Sequence, residues 1–217
     1  MSFDAIAPWY RALEWITCGE QLQRCRVACL GEISAPRRAL IVGEGNGRFL
    51  CELLRVHPAV AVDCLDASER MLQLARKRIE QTCPDGAARV RFLHDDISSW
   101  IPPEDRFDLI VTHFVLDCFR GPELVLVIKK LACAATPDAT WLVADFCIPV
   151  GRFARARARA WLALMYGFFR ATAGIQAARL VDPTPLIRAQ GFALATQYQF
   201  KSAMLKSESW RRKMRQD

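Results

Sequence analysis

The chain has 217 residues, 52% of them hydrophobic and 24% charged, with a formal net charge of +7. This composition supplies a full core for one α/β domain and excludes a disordered or fibrous chain. No apolar run approaches the roughly 20 residues needed to span a bilayer; the best candidate, residues 160–169, is short and bracketed by Arg159 and Arg170. The start lacks the basic, apolar and small-residue pattern of a signal peptide, so the expectation is a cytoplasmic protein. Nine scattered cysteines without a Cys-x-x-Cys pair, and three histidines not spaced as ligands beside them, read as free thiols with no metal site.

Residues 3–33 read as helical, with an apolar stripe through Ile6, Trp9, Leu13 and Ile16 that resumes after Gly19 at Leu22, Cys25 and Cys29. Residues 1–35 are therefore expected to cap the main domain, and 34–38 to link into its sheet. Ala39-Leu40-Ile41-Val42 then suits a parallel strand buried on both faces. Gly43-Glu44-Gly45-Asn46-Gly47 follows, and a helix opens at Arg48. A strand, a glycine turn and a helix N-terminus form a nucleotide-type site, because glycines allow close backbone approach and the helix offers unpaired N–H groups.

The second strand, residues 59–65, ends at Asp66, about 20 residues beyond the glycines, where a doubly wound sheet places a carboxylate for ribose hydroxyls. Asp66 could at the same time cap the helix over 69–80, with Ser68 competing for that task, but the ribose role comes first. Cys83-Pro84-Asp85-Gly86 is a turn that stops this helix. A third strand at 89–94 closes with Asp95-Asp96-Ile97, and a fourth at 107–112 runs out at His113, with Asp117 just beyond. A helix over 123–135 is broken by Thr136-Pro137-Asp138 before the fifth strand at 140–146. Residues 152–174 form a long helix candidate with Arg152, Arg155, Arg159 and Arg170 on one face and Phe153, Trp161, Leu164 and Phe168 on the other. A short helix from Asp182 to Gly191, a strand at 192–200 and an antiparallel hairpin partner at 202–210 finish the chain. The alternation implies a parallel sheet with right-handed crossovers.

In this order the motifs resemble those of class I S-adenosylmethionine (SAM)-dependent methyltransferases, from Leu40 to about Trp210. Leu40-Ile41-Val42-Gly43-Glu44-Gly45-Asn46-Gly47 is similar to the family's glycine motif. Leu65-Asp66-Ala67-Ser68 with Met71 resembles its second motif, His94-Asp95-Asp96-Ile97 its third, and residues 107–113 its fourth. The resemblance implies an α/β, Rossmann-like, doubly wound, mostly parallel seven-stranded sheet with an antiparallel last strand and an N-terminal helical cap. It implies one domain over 1–217, with the SAM-binding core at 36–217 and a helical segment at 150–175 near the acceptor pocket. The cofactor would be SAM, leaving as S-adenosylhomocysteine. Gly43, Glu44, Gly45, Asn46, Gly47, Asp66, Ala67, Met71, Asp96, Ile97, Thr112 and His113 would bind it, with Asp66 on the ribose and Asp96 near the adenine amino group. Where the family often carries an acid two residues before the first glycine, this chain has Ile41, and Glu44 could stand in.

Phe3-Asp4-Ala5-Ile6-Ala7-Pro8-Trp9-Tyr10 also resembles the start of quinone-biosynthesis C-methyltransferases. The expectation is C- or O-methylation of a small lipophilic or aromatic acceptor by in-line displacement. His113 is the first candidate base, with Asp117 and Tyr166 behind it. Peripheral contact with the inner membrane face could run through the basic residues between Arg152 and Arg170. No nucleic-acid partner is expected, since no Asn/Asp-Pro-Pro-Tyr/Phe box follows the fourth strand. A nucleic-acid methyltransferase and a non-catalytic SAM-fold interaction protein are the alternatives.

Overall fold

A computed structural model of the chain describes residues 20–149, 151–153, 155, 181–200 and 203–213. Strands β1 (Arg38–Val42), β2 (Ala61–Asp66), β3 (Val90–His94), β4 (Phe107–His113), β5 (Ala135–Phe146), β6 (Phe192–Phe200) and β7 (Leu205–Arg212) form one sheet in the order β3-β2-β1-β4-β5-β7-β6. The first five pair in parallel, and β7 runs antiparallel to both β5 and β6, so six strands share one direction.

The unbroken apolar character of β1 has a direct cause. Leu40 and Val42 enter one buried cluster, while Ala39 and Ile41 enter another on the opposite side. Helix α5 (Gly121–Ala134) covers the first side with Leu124, Val127, Ile128 and Leu131 against Ile110, Trp141 and Val143. Helices α2 (Arg48–Val56) and α3 (Glu69–Thr82) cover the second with Phe49, Leu50, Leu53, Leu54, Leu72 and Ile79 against Val62, Val111 and Leu142. Each large side chain buried this way contributes about 1.5–3 kcal/mol. Helices on both sides of the parallel part of the sheet leave the carboxyl ends of β1, β2, β3 and β4 as a shared edge.

Helix α1 (Gln21–Val27) docks the described part of the N-terminal segment onto β7: the Cys25 thiol donates to the Lys206 carbonyl at 3.3 Å, and the Ser207 hydroxyl to Cys29 Sγ at 3.4 Å. The remainder of the expected cap, residues 1–19, and most of the expected basic helix lie outside the described residues. Among the described residues eight cysteines are free thiols, no group of side chains could hold a metal ion, and no helix is long and apolar enough to cross a membrane.

Three local expectations require correction. Thr136-Pro137-Asp138 does not separate helix from strand; α5 passes directly into β5 at Ala135. The β4–β5 register shifts between Phe107 and Leu109, and Pro137 occupies that irregularity, where a missing N–H costs the ladder nothing. The Cys83–Gly86 turn is instead the start of a short helix, α4 (Pro84–Ala87), with proline in its first turn. The helix expected from Glu123 begins two residues earlier, at Gly121. The last helix, α6 (Thr184–Ala189), and β6 fall where the sequence puts them.

Candidate active site

The glycine turn leaves β1 through Gly43, whose N–H donates to the Leu65 carbonyl of β2 at 2.9 Å. Two of its glycines are required sterically. At Gly43 (φ +68°) a Cβ would lie 2.8 Å from Val115 Cγ2, and at Gly47 (φ +81°) 2.9 Å from the Ala75 Cα of α3. A side chain would be strained at either place and would push β1 or α2 away from its neighbour.

Gly47 stands at the N-cap of α2 and has no side chain with which to cap it. Glu44 supplies the missing acceptor: its Oε1 receives the Leu50 N–H at 3.0 Å. The side chain is buried, and burial pushes its carboxyl up to about 7, outweighing the opposing effects of the Leu50 N–H and the nearby Arg26 guanidinium. Glu44 is therefore directed to the start of α2.

Asp66 at the tip of β2 accepts from the Ser68 N–H at 2.9 Å through Oδ1 and from the Gly45 N–H at 3.3 Å through Oδ2. These bonds tie the carboxylate to the glycine turn. Ser68, not Asp66, caps α3, receiving the Met71 N–H at 3.2 Å. The next tip lies alongside, since Asp66 pairs with His94 and the Asp95 N–H reaches the Asp66 carbonyl at 3.3 Å. Burial pushes the Asp96 carboxyl up, while hydrogen bonds, those from Ser98 among them, and a nearby positive charge pull it down; the net direction is below its ordinary value, so it is an anion at neutral pH.

Between these tips lies a cavity of about 700 Å³ including its open mouth. Of the residues expected from sequence, Gly43, Gly45, Asp66, Ala67, Met71, Asp96 and Ile97 line it. Glu44, Asn46, Gly47, Thr112 and His113 are not among its lining residues. The Asn46 carbonyl accepts from Arg78 Nε at 2.7 Å, and Thr112 Oγ1 from Trp141 Nε1 at 2.9 Å. Sequence reasoning missed Phe114, Val115, Cys118 and Phe119, which form the wall at the exit of β4. Phe114 has φ +55°, a left-handed backbone rare for an aromatic residue. Its N–H donates to the Ala144 carbonyl at 2.7 Å, Phe146 packs 5.2 Å from its ring, and Arg26 lies 5.3 Å over it. No glycine or turn pattern signals that conformation. Arg26, a buried cation on α1, was missed as well; its one sequence sign is its place next to Cys25 on an apolar helix face.

The candidate bases separate. His113 is buried with its ring 4.5 Å edge-on to Phe49, and neither ring nitrogen has a hydrogen-bond partner among the described residues. Burial, reinforced by the Arg26 charge, holds it well below the ordinary histidine range, so it is neutral at pH 7. Asp117 is buried in the turn at Leu116–Cys118, next to the lining residue Cys118. Asp145, next to the end of β5, lies close by; burial and then the Asp117 charge push it well above the carboxylate range. Tyr166 lies outside the described residues.

The lining fits an adenosyl ligand: an oriented carboxylate beside the glycine turn, an anion on the next strand tip, and Leu65, Ile97 and Phe119 as apolar surface between. Residues 39–138 match a methyltransferase-domain family model. Among curated proteins, the chain is 29% identical over 131 residues to the tRNA N(3)-cytidine methyltransferase METTL2 of Gallus gallus, covering 58% of this chain and 34% of the relative. It is 34% identical over 92 residues to the malonyl-[acyl-carrier protein] O-methyltransferase of Paenibacillus sp. (strain JDR-2), covering 42% and 31%. It thus spans about a third of the length of these relatives. The solved N-methyltransferase NodS of Bradyrhizobium japonicum WM9, in complex with S-adenosyl-L-homocysteine, shares the fold at TM-score 0.61 and 18% identity, with 88% of this chain and 84% of that one covered. The ordered motifs, the strand order and the match over residues 39–138 support a class I SAM-dependent methyltransferase.

Proposed function

We propose that the protein transfers a methyl group from SAM to a small lipophilic or aromatic acceptor, at carbon or oxygen. The observation that carries this reading is the convergence of the glycine turn, Asp66 and Asp96 on one cavity whose far wall, Phe114, Val115 and Phe119, is apolar. The donor supplies an electrophilic methyl on a positively charged sulfur. Asp66, held by Gly45 and Ser68, would accept the ribose hydroxyls, and Asp96 the adenine amino group. The β4 wall would exclude water and align the acceptor for in-line attack, so much of the rate comes from positioning. When the acceptor atom carries a proton, His113, at the exit of β4 and neutral beforehand, is the first candidate to take it, against the cost that burial sets on the imidazolium it would become; Asp117 and Tyr166 stand behind it. A cytoplasmic location, with any membrane contact through Arg152 to Arg170, belongs to the same proposal.

A second reading is methylation of RNA, supported by the similarity to tRNA cytidine methyltransferases and the net charge of +7. One experiment separates the two: incubation with methyl-labelled SAM and, in parallel, bulk tRNA, lipid extract and a panel of phenols, followed by mass spectrometry. Label confined to lipid or phenol supports the first reading, and label in tRNA overturns it. Absence of SAM binding by calorimetry removes both.

A further inference from the structure

The segment carrying Asp96 has no regular secondary structure between the end of β3 and Trp100. Its shape is fixed from within by the Asp96 carbonyl, which accepts the Ser99 and Trp100 N–H groups at 2.9 and 2.8 Å, and by Asp96 Oδ1, which accepts the Ser98 N–H at 2.9 Å. Such a tight turn directs successive carbonyls outward, where each requires a donor. A single side chain meets them. Lys130 Nζ of α5 donates to the carbonyls of Ile97 at 3.3 Å, Ser98 at 2.5 Å and Trp100 at 2.8 Å. Seven residues earlier on the same helix, Glu123 accepts the Ser98 hydroxyl at 3.0 Å. Residues seven apart share a helix face, so α5 grips the segment at two points.

The rest of α5 faces the core through Leu124, Val127, Ile128 and Leu131, so its position is fixed by packing. The lysine thus transmits the position of a rigid helix to a loop whose Asp95, Asp96 and Ile97 line the cavity. An ammonium with its three protons shared among three carbonyls leaves the turn little freedom to rotate.

We propose that Lys130, assisted by Glu123, is a positioning residue for recognition of the donor's base: it acts through the 97–100 carbonyls to hold the Asp96 carboxylate toward the adenine amino group. This rests on the proposed assignment of Asp96 to the adenine amino group. Neither residue lines the cavity, so neither would touch the donor directly.

The test compares two ligands that differ only in the base, S-adenosylhomocysteine and S-inosylhomocysteine, in which a carbonyl oxygen replaces the amino group and N1 carries a proton, by calorimetry on the full chain. Wild-type protein should prefer the adenosyl ligand by about 10-fold, the worth of one hydrogen bond to a charged group. Lys130→Met, which keeps the aliphatic stem, should weaken the adenosyl ligand about 10-fold and change the inosyl ligand less than about 3-fold, collapsing the preference. Lys130→Arg should restore it. Glu123→Gln should lower it partway and covers the case in which Lys130→Met does not fold. In turnover, Lys130→Met should raise KM for SAM with kcat unchanged. Equal weakening of both ligands, or an undiminished preference, would overturn the inference. A wild-type protein that binds neither ligand would instead remove the donor reading on which it stands.

Discussion

Glu44 gives the sharpest test of the site's electrostatics. An acid whose carboxyl is ordinary when unfolded, at 4.5, and is raised to about 7 when folded binds its proton more tightly in the folded state. Its stabilising contribution is complete below pH 4.5 and disappears as the pH rises through about 7. At about 1.4 kcal/mol for each tenfold difference, the gap corresponds to about 3 kcal/mol lost across that window. Glu44→Gln removes the titration but keeps an oxygen to receive the Leu50 N–H. The assay is urea unfolding at half-unit steps from pH 4.5 to 8, with the variant's stability subtracted from that of the wild type at each step. The subtraction is needed because Asp145 titrates in the same direction as Glu44, while His113, depressed when folded, titrates in the opposite one. The glutamine variant should gain on the wild type as pH rises, by up to about 3 kcal/mol at pH 8. A difference constant to within about 0.5 kcal/mol would show that Glu44 is solvated, refuting the burial on which the argument depends.

Three other substitutions probe the site. Gly47→Ala combines a left-handed backbone with a Cβ 2.9 Å from the Ala75 Cα, so it should cost about 2–4 kcal/mol in urea unfolding, whereas Gly31→Ala, with nothing within 4 Å, should cost less than about 1. Asp66→Asn preserves an acceptor for the Ser68 N–H but removes the charge; calorimetry should show S-adenosylhomocysteine affinity reduced by at least about 10-fold, and an unchanged affinity would remove Asp66 from the donor site. His113→Phe fills the same buried volume beside Phe49; turnover should fall about 100-fold while S-adenosylhomocysteine affinity stays within about 2-fold, and full turnover would end its candidacy as a base.

The strand-tip geometry of the candidate site was legible in the sequence because its requirements are local. A left-handed turn needs glycine, a buried parallel strand needs an unbroken apolar run, and a strand-tip carboxylate stands a fixed distance from both. Gly43, Asp66 and Asp96 could therefore be placed by counting. The role of Glu44 was not legible, since only the fold reveals that Gly47 leaves α2 without a cap. Phe114 and Val115 were missed for a related reason: they acquire their positions from β5 and from Gly43, which are distant in sequence. Lys130 reads as one more surface lysine on an amphipathic helix until the 97–100 carbonyls are seen around it.

The distribution of buried charge argues for the same edge independently of any motif. Glu44 follows β1, His113 ends β4 and Asp117 follows it, Asp145 lies next to the end of β5, and Lys206, opposite Asp145 in the β5–β7 register, pairs with Glu208 at 3.0 Å. At the opposite edge charged groups are satisfied in contact with solvent: Arg91 pairs with Asp63 at 2.6 Å, and Asp108 accepts the backbone N–H groups of Arg37 and Arg38 at 2.9 Å. Burying an ionisable group costs several kcal/mol unless it is neutralised or paired, and His113 and Asp145 are held in their neutral forms. None of these groups belongs to the apolar clusters on the two faces of the sheet. Their concentration at the carboxyl ends of β1, β4 and β5, beside the cavity, is what a site that must handle a charged donor and a departing proton would require.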